Sequence, residues 1–554
     1  MMNRKLKIGL LVDSDIIPNW AYKMLEILNS SDYAEISLII KNGSTSNNKK
    51  SKFRTIYELR KKLVWILYNK IDSKLFKVTP DAFKSKKVKE LVSCDEIVVV
   101  PKQKKFSDYI IEDDIAEIKK YDLDILIRLG FRILRGDILK IARYGIWSYH
   151  HGDNTVNRGG PAGTWEVFEN WDVTGVILQI LSEDLDGGLK LSDSFSSTEK
   201  LSVKRNKNKY YWKALNMMPR KLKELHTLGP DEFFNSLDKS EDLDFYSNRL
   251  FLTPTNLQVL KAMGVIAKRK INSLLYNSFY FNQWILLFKF NSKQEWSKSF
   301  FRFKKIVPPK DRFWADPFIV EKDNKYYLFI EELIYKEGLG KISVMELDQK
   351  GNYTKPKTII ENDYHMSYPF IIEEGGKLYL IPETAANNSV DIYECIEFPY
   401  KWSFKQTLMK GIHAVDSTIL KHDNKYWLFC NVKENNGASS LDELFLFYSD
   451  SLLTDEWISH PKNPIVSDVR RSRPAGNIFR DEKNNLYRPS QDCAKRYGHS
   501  MKINKIEVLT TNDYSEKTVN SILPNWDKKL LACHSINKQS KLTIIDGLLK
   551  RRRF

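Results

Sequence analysis

Residues 317–329 read PFIVEKDNKYYLF, and the pattern returns as PFIIEEGGKLYLI from Pro369, STILKHDNKYWLF from Ser417 and NIFRDEKNNLYRP from Asn477. The four copies align without gaps at steps of 52, 48 and 60 residues. Each is an apolar strand, a short turn (DN, GG, DN or KN) and a second strand bearing Tyr327, Tyr379, Trp427 or Tyr487. Asn, Asp and Gly supply the positive φ that a tight hairpin needs. A third strand follows each copy: KISVMELD, VDIYECI, ELFLFYSD and KIEVLTT. Repeats of about 50 residues with three or four strands build propeller blades. LLACHSINKQSKLTIIDG supplies a fifth unit, and QWILLFKF near residue 284 can close it. Residues 281–554 are therefore expected to form an all-β five-bladed propeller.

The residues that open the repeats, Asp316, Tyr368, Asp416 and Gly476, are expected to face the central channel. The aspartates in WADP and AVDS resemble the inner-strand acids of five-bladed glycosidases such as arabinanases and levansucrases. FWADPFIVEKDNKYYLFIEE is also similar to the N-terminal propeller of plant glucosamine inositolphosphorylceramide transferases. Glu383 in LIPET offers a third acid, and Trp314, His413, Arg473, His499 and His534 fall near the expected rim. Glycoside chemistry uses a carboxylic acid and a second carboxylate across the bond. The plain alternative is that Asp316 and Asp416 cap inner strands by hydrogen bonds to neighbouring backbone. Asp316, Glu383, Asp416 and His534 form the candidate site of this half.

Working back toward the N-terminus, the period changes. KIGLLVDS, AEISLIIKNG, EIVVVP, DLDILIRLG and IWSYHH read as strands. NWAYKMLEILNSS and GDILKIARYG read as helices between them. That alternation predicts an α/β doubly wound sheet over residues 1–195, whose ligands belong at the carboxyl ends of the strands. HHGDNTVNRGG, from His150 to Gly160, sits at such an end. No GxGxxG follows the first strand, so a dinucleotide fingerprint is absent. Residues 196–280 read as a helical linker region, with LQVLKAMGVIAKRKINSLLYNSF as a bridging helix.

DLDILIRLGFRIL, GIWSYHHGDNTVNRGGPAGTWEVF and TGVILQILSEDLDGG together resemble the formyltransferase domain that uses 10-formyltetrahydrofolate, found in methionyl-tRNA and sugar N-formyltransferases. The resemblance covers about residues 5–190. It places His150 on the family's catalytic histidine and Asp186 on its catalytic aspartate, and sets Ser148 where the family carries asparagine. It assigns Gly130, Phe131, Arg158 and Gly159 to cofactor binding, and implies 10-formyltetrahydrofolate as the cofactor. A histidine oriented by a carboxylate can move the amine's proton near neutral pH. Ser148 is a shorter donor than asparagine, and loss of an oxyanion donor costs roughly 100- to 1000-fold in rate. The loop Gly152-Asp153-Asn154-Thr155 also departs from the family pattern. Either Asn154, Asn157 or His151 supplies the missing donor, or the domain no longer transfers formyl groups. Outside the resemblance, His150 and Asp186 read as a buried histidine satisfied by a carboxylate.

At 554 residues the chain exceeds one hydrophobic core. Its five scattered cysteines show no CxxC spacing, which argues against a metal site or disulfide framework and for a reducing, cytoplasmic compartment. No apolar run approaches the roughly 18 residues of a membrane span. The net charge of +18 is uneven: the insertion at residues 41–90 holds 15 Lys/Arg against 4 Asp/Glu. It reads as a solvated basic helix or as a peripheral contact with anionic lipid or glycan. No motif accompanies the charge to suggest nucleic acid.

Three functions fit: a formyltransferase-like enzyme acting on an amino sugar or nucleotide-linked amino sugar in surface polysaccharide synthesis, with a carbohydrate-binding propeller; a glycoside hydrolase or glycosyl-transfer propeller beside a degenerate formyltransferase domain; and a non-catalytic glycan-binding protein.

Overall fold

The computed structural model describes residues 4–46, 52–104, 106–184, 187–237, 246–292, 296–297 and 299–554. The chain divides into two compact units: Met1–Arg269 with Asn435–Ala438, and Lys270–Glu434 with Ser439–Phe554.

Among the described residues the largest sheet of the first unit has seven strands: β1 (Leu6–Val12), β2 (Ala34–Asn42), β3 (Asp95–Val99), β4 (Ile125–Arg128), β5 (Ile146–His150), β6 (Val173–Ile180) and β7 (Leu189–Ser197). Their order is β7-β6-β5-β4-β1-β2-β3. The strands from β5 to β3 pair in parallel, and β6 and β7 add antiparallel. Both faces of β1 are apolar because both are covered. Leu6, Ile8 and Leu10 join the core that includes Met24, Leu25 and Leu28 of α1 (Asn19–Asn29). Leu11 joins a separate core with Ile115 and Ile118. The basic segment forms α2 (Lys52–Leu75). The expected helix GDILKIARYG is only a 3-10 turn, Gly136–Lys140, too short to bury a full helical face. The expected helical linker region begins with two helices, α3 (Val203–Ala214) and α4 (Met217–Leu228). Ser202 caps α3, accepting the Arg205 N–H at 3.1 Å. The bridging pattern forms one helix, α5 (Asn256–Phe279).

Among the described residues the second unit holds five antiparallel sheets. Four are four-stranded, one per repeat. In chain order their first two strands are β9 (Arg312–Lys322) and β10 (Lys325–Ile334), then β11 (Ser367–Glu374) and β12 (Lys377–Thr384), then β13 (Ala414–His422) and β14 (Lys425–Val432); the fourth repeat carries β15 (Leu486–Asp492). The fifth sheet joins the two ends of the unit: β8 (Tyr280–Phe290) pairs along its whole length with β16 (Leu542–Arg552). Asp323-Asn324, Gly375-Gly376 and Asp423-Asn424 all have positive φ, as two-residue hairpins of this twist require.

One feature recurs that the alignment only hinted at. Asp316, Tyr368, Asp416 and Gly476, the four repeat-opening residues, all lie at positive φ, 49°, 46°, 53° and 123°. In the first three repeats the register with the next strand skips two residues there, a β-bulge. Bulges re-aim a side chain. Tyrosine rarely accepts such a conformation, so something must hold Tyr368. Its hydroxyl accepts the Gly476 N–H at 2.8 Å and lies 2.8 Å from Thr418 Oγ1. Tyr368 thus ties the second repeat to the third and fourth, at the position where the first and third repeats carry an aspartate. Tyr368→Phe is expected to strand the buried Gly476 N–H and to cost about 1–3 kcal/mol, read as a lower midpoint in urea.

Candidate functional site

In the first unit the carboxyl ends of β1, β4 and β5 converge. Gly130, just after β4, lies so close to β1 that a Cβ there would sit 2.4 Å from the Asp13 amide nitrogen. Phe131 has φ of 64°, and its N–H donates to Asp13 Oδ1 at 2.8 Å. Ser148 is buried, and its hydroxyl accepts from Arg128 Nη1 at 3.2 Å. His150 ends β5, and its Nε2 meets the Asn157 carbonyl at 3.0 Å. Gly152 closes over that nitrogen, where a Cβ would stand 2.7 Å away. Arg158 Nε donates to the Asn154 carbonyl at 3.0 Å, and its guanidinium lies over Tyr246, 4.8 Å from the ring centroid. Gly159 bridges to Phe251, whose carbonyl would meet a Cβ at 2.2 Å. Asp186 lies outside the described residues.

The arrangement brings Ser148, His150, Gly130 and Phe131 to the carboxyl ends of β4 and β5. It turns Arg158 and Gly159 to tying the loop down against residues 246–251. 10-Formyltetrahydrofolate, which the resemblance implies, would meet Gly130, Phe131, Ser148 and His150 at this end of the sheet. The His150 ring is closed off by its own loop, Ser148 is held by Arg128, and the space at Gly159 is filled by backbone.

Sequence reasoning missed Glu166. It is 1% exposed, and Asn157 Nδ2 donates to its Oε1 at 3.3 Å. Burial pushes its carboxyl up to about 7. An acid whose native pKa lies above its unfolded value stabilises the fold fully below that unfolded value, here 4.5, and loses the contribution as pH rises to about 7. Glu166→Gln is expected to leave stability unchanged at pH 4 and to raise it by about 1–3 kcal/mol at pH 8, measured by urea unfolding at both pH values. Only its place in the WEVF turn beside the polar loop could have signalled it.

The second unit gathers its candidates more tightly. Arg473 grips Asp416 with Nε at 2.5 Å and Nη2 at 3.0 Å, and Gln491 Nε2 donates to the same carboxylate at 2.9 Å. Arg473 Nη2 also reaches Glu383 Oε2 at 3.4 Å, and the Asp416 N–H donates to that oxygen at 3.3 Å. Burial, with the Asp416 charge beside it, holds the Glu383 carboxyl well above its ordinary value. Glu383 thus lies next to a clamped carboxylate, with burial and that charge favouring its protonated form.

A second chain of charges lies alongside. Asp546 accepts from the backbone N–H groups of His534 and Ser535 at 2.9 and 3.0 Å, from the Ser535 hydroxyl at 2.7 Å and from the Asp316 N–H at 3.1 Å. Its Oδ2 stands 2.6 Å from His534 Nδ1, and His534 Nε2 stands 3.5 Å from Asp316 Oδ1. Burial alone would depress the imidazole, but Asp546 and Asp316 outweigh it and raise His534 to about 9. Burial raises Asp316 well above its ordinary value, and His534 opposes that shift. Among the described residues Asp316 Oδ1 is buried without a hydrogen-bond partner, and the Asp416 charge adds to the rise of Asp316.

Aromatic rings cover this pair of chains. Trp284 stacks on His534 at 4.0 Å between centroids. Tyr497, 41% exposed, meets His534 edge-on at 5.3 Å and lies under the Arg473 guanidinium at 5.0 Å. Gly498 permits this, because a Cβ there would stand 2.6 Å from His534 Cβ. Glu331 pairs with His365 at 3.3 Å and raises it. Trp314, expected at the rim, is buried and donates to Glu332 at 3.1 Å.

The structure thus brings Asp316, Glu383, Asp416 and His534 into one buried cluster. The repeat alignment could not show Asp546, which lies on the closing strand, or the clamp made by Arg473 and Gln491. Asp316, His534 and Asp546 also place one ligand atom each within 4.8 Å of one another. His534 Nδ1 is engaged by Asp546, which leaves it as an ion-paired imidazole.

Residues 305–543 match the family described as glucosamine inositolphosphorylceramide transferase 1, N-terminal. Over 210 residues, 37% of the chain, the sequence is 33% identical to glucosamine inositolphosphorylceramide transferase 1 of Arabidopsis thaliana, of which that stretch is 27%. Over 116 residues, 21% of the chain, it is 32% identical to methionyl-tRNA formyltransferase of Prochlorococcus marinus, of which that stretch is 32%. The chain therefore spans less than a third of either relative. Among solved structures, a family 117 glycoside hydrolase of Zobellia galactanivorans covers 48% of the chain, and the chain covers 90% of it, at 11% identity and a TM-score of 0.32.

Proposed function

We propose that the chain is a carbohydrate-active protein acting on an amino sugar in a glycan or glycolipid, with its chemistry in the second unit. In this reading the second unit is a five-bladed propeller and the first a doubly wound, formyltransferase-like domain working without folate. The observation that carries it is the buried cluster of Glu383, Asp416 and Arg473 beside Asp316 and His534, under Trp284 and Tyr497. The similarity to the N-terminal region of glucosamine inositolphosphorylceramide transferase over the same residues supports the substrate class.

The cluster has the parts that glycoside chemistry needs. Glu383 carries a proton it can deliver to a leaving glycosidic oxygen. Asp316 is raised by burial, and the His534 imidazolium 3.5 Å away opposes that shift; in the ionised form this charge favours, Asp316 can take the proton of an attacking hydroxyl as the hydroxyl oxygen bonds to the anomeric carbon. Asp416, clamped by Arg473 and Gln491, fixes where Glu383 points. Trp284 and Tyr497 give the sugar apolar faces to lie on.

The experiment is a thermal-shift screen of the whole chain against glucosamine-containing glycans, nucleotide-linked amino sugars and folates. A ligand that binds only the native fold raises its melting temperature. Stabilisation by an amino-sugar ligand and none by folate is the expected result. Stabilisation by 10-formyltetrahydrofolate alone would move the function to His150.

A further inference from the structure

Helix α5 carries a face that the fold leaves open. Val259 and Ala262 are buried, and Met263 and Ile266 pack with them in a cluster that includes Val64, Trp65 and Tyr68 of α2. On the opposite side Leu257, Leu260, Ile271, Leu275 and Phe279 are 62%, 54%, 56%, 55% and 59% exposed. At about 3.6 residues per turn these positions fall along one stripe that runs the length of the helix. Lys261 and Lys268 lie in the same stripe. Residues 256–279, NLQVLKAMGVIAKRKINSLLYNSF, hold four cations and no acidic residue. Helix α2 repeats the construction: Leu63, Leu67 and Leu75 are 62%, 55% and 70% exposed, with Lys70 and Lys74 at the same helical phase.

Among the described residues no helix is long and apolar enough to cross a membrane. An apolar stripe lined with lysines and free of acids suits a different place, the boundary between anionic headgroups and acyl chains. There the leucines enter the acyl edge while the ammonium groups reach phosphate. A second copy of the chain fits the same face badly, because pairing it with itself would set lysines against lysines. We propose that α5, together with α2, seats this protein on an anionic lipid surface. The inference rests on these two helices and stands apart from the glycan site.

The test is co-sedimentation of the full chain with vesicles of phosphatidylcholine alone and with about 30% phosphatidylglycerol added, a strongly anionic surface. The chain is expected to sediment with the anionic vesicles and not with the neutral ones. An Ile271→Ser, Leu275→Ser variant should weaken that partition by about tenfold or more, since it removes the inserted groups. A Lys261→Glu, Lys268→Glu variant should weaken it as much and abolish the lipid preference. Both should keep the parent melting temperature, as all four side chains are exposed. Three results would overturn the proposal. One is no sedimentation of the parent with anionic vesicles. Another is equal sedimentation of parent and variants. The third is a concentration-dependent dimer that the serine variant loses, which would assign the face to a second copy.

Discussion

Arg473→Met is expected to destabilise the second unit by about 3–5 kcal/mol, the scale for removing one partner of a buried ion pair. The side chain is 7% exposed and is the cation that grips Asp416 while reaching Glu383. Methionine keeps much of the volume, so the loss is electrostatic: a buried carboxylate keeps only Gln491 as a side-chain donor, and Glu383 loses its orienting contact. The measurement is urea unfolding followed by tryptophan fluorescence. Arg473→Lys should recover only part of the loss, because one ammonium cannot make the two-point contact of a guanidinium. A variant as stable as the parent would show that the charges are solvated and the cluster is not built as described.

Glu383→Gln and Asp316→Asn are each expected to lower turnover of an amino-sugar glycoside or glycan donor by about 100-fold or more, the usual scale for losing a general acid or base. Glutamine cannot deliver a proton. Asparagine cannot accept one, although it keeps the place beside His534. The same chemistry sets a pH limit. His534 is held charged up to about 9, so the charge that faces Asp316 is complete at neutral pH and is lost as pH rises through that value. Activity should fall over the same window. Turnover within a few fold of the parent in both variants would leave the cluster a structural ion network.

The repeats made the second unit legible because each carries the same hairpin chemistry. Asp323-Asn324, Gly375-Gly376 and Asp423-Asn424 stand in the strand-turn-strand pattern wherever the hairpins form, and QWILLFKF does lie on the strand β8 that pairs with β16. The alignment also singled out Asp316 and Asp416. It could not tell that Tyr368 fills the equivalent bulge in the second repeat by reaching Gly476 and Thr418, since that contact joins residues far apart in the chain. Nor could it find Asp546: the fifth unit, which holds both Asp546 and its partner His534, is not one of the four aligned copies, and His534 lies between the strands Leu530–Ala532 and Ile536–Gln539. In the first unit the alternation of strands and helices was readable from the hydrophobic runs, while GDILKIARYG satisfied a helical pattern that the structure uses only as a 3-10 turn. His150 was readable as a strand-end residue. What the local sequence concealed was its surroundings: Asn157 from its own loop, Gly152 above its ring, and the acid Glu166 beneath.

The proposed glycan site lies in the second unit, over Asp316 and Glu383. This placement is tested most directly by calorimetric titration of one amino-sugar ligand into three proteins: the parent, the Asp316→Asn, Glu383→Gln double variant, and His150→Ala. The account predicts that the double variant binds at least about tenfold more weakly, a loss of about 1.4 kcal/mol, while His150→Ala binds as the parent does. Loss of binding in His150→Ala with an unchanged double variant would contradict it.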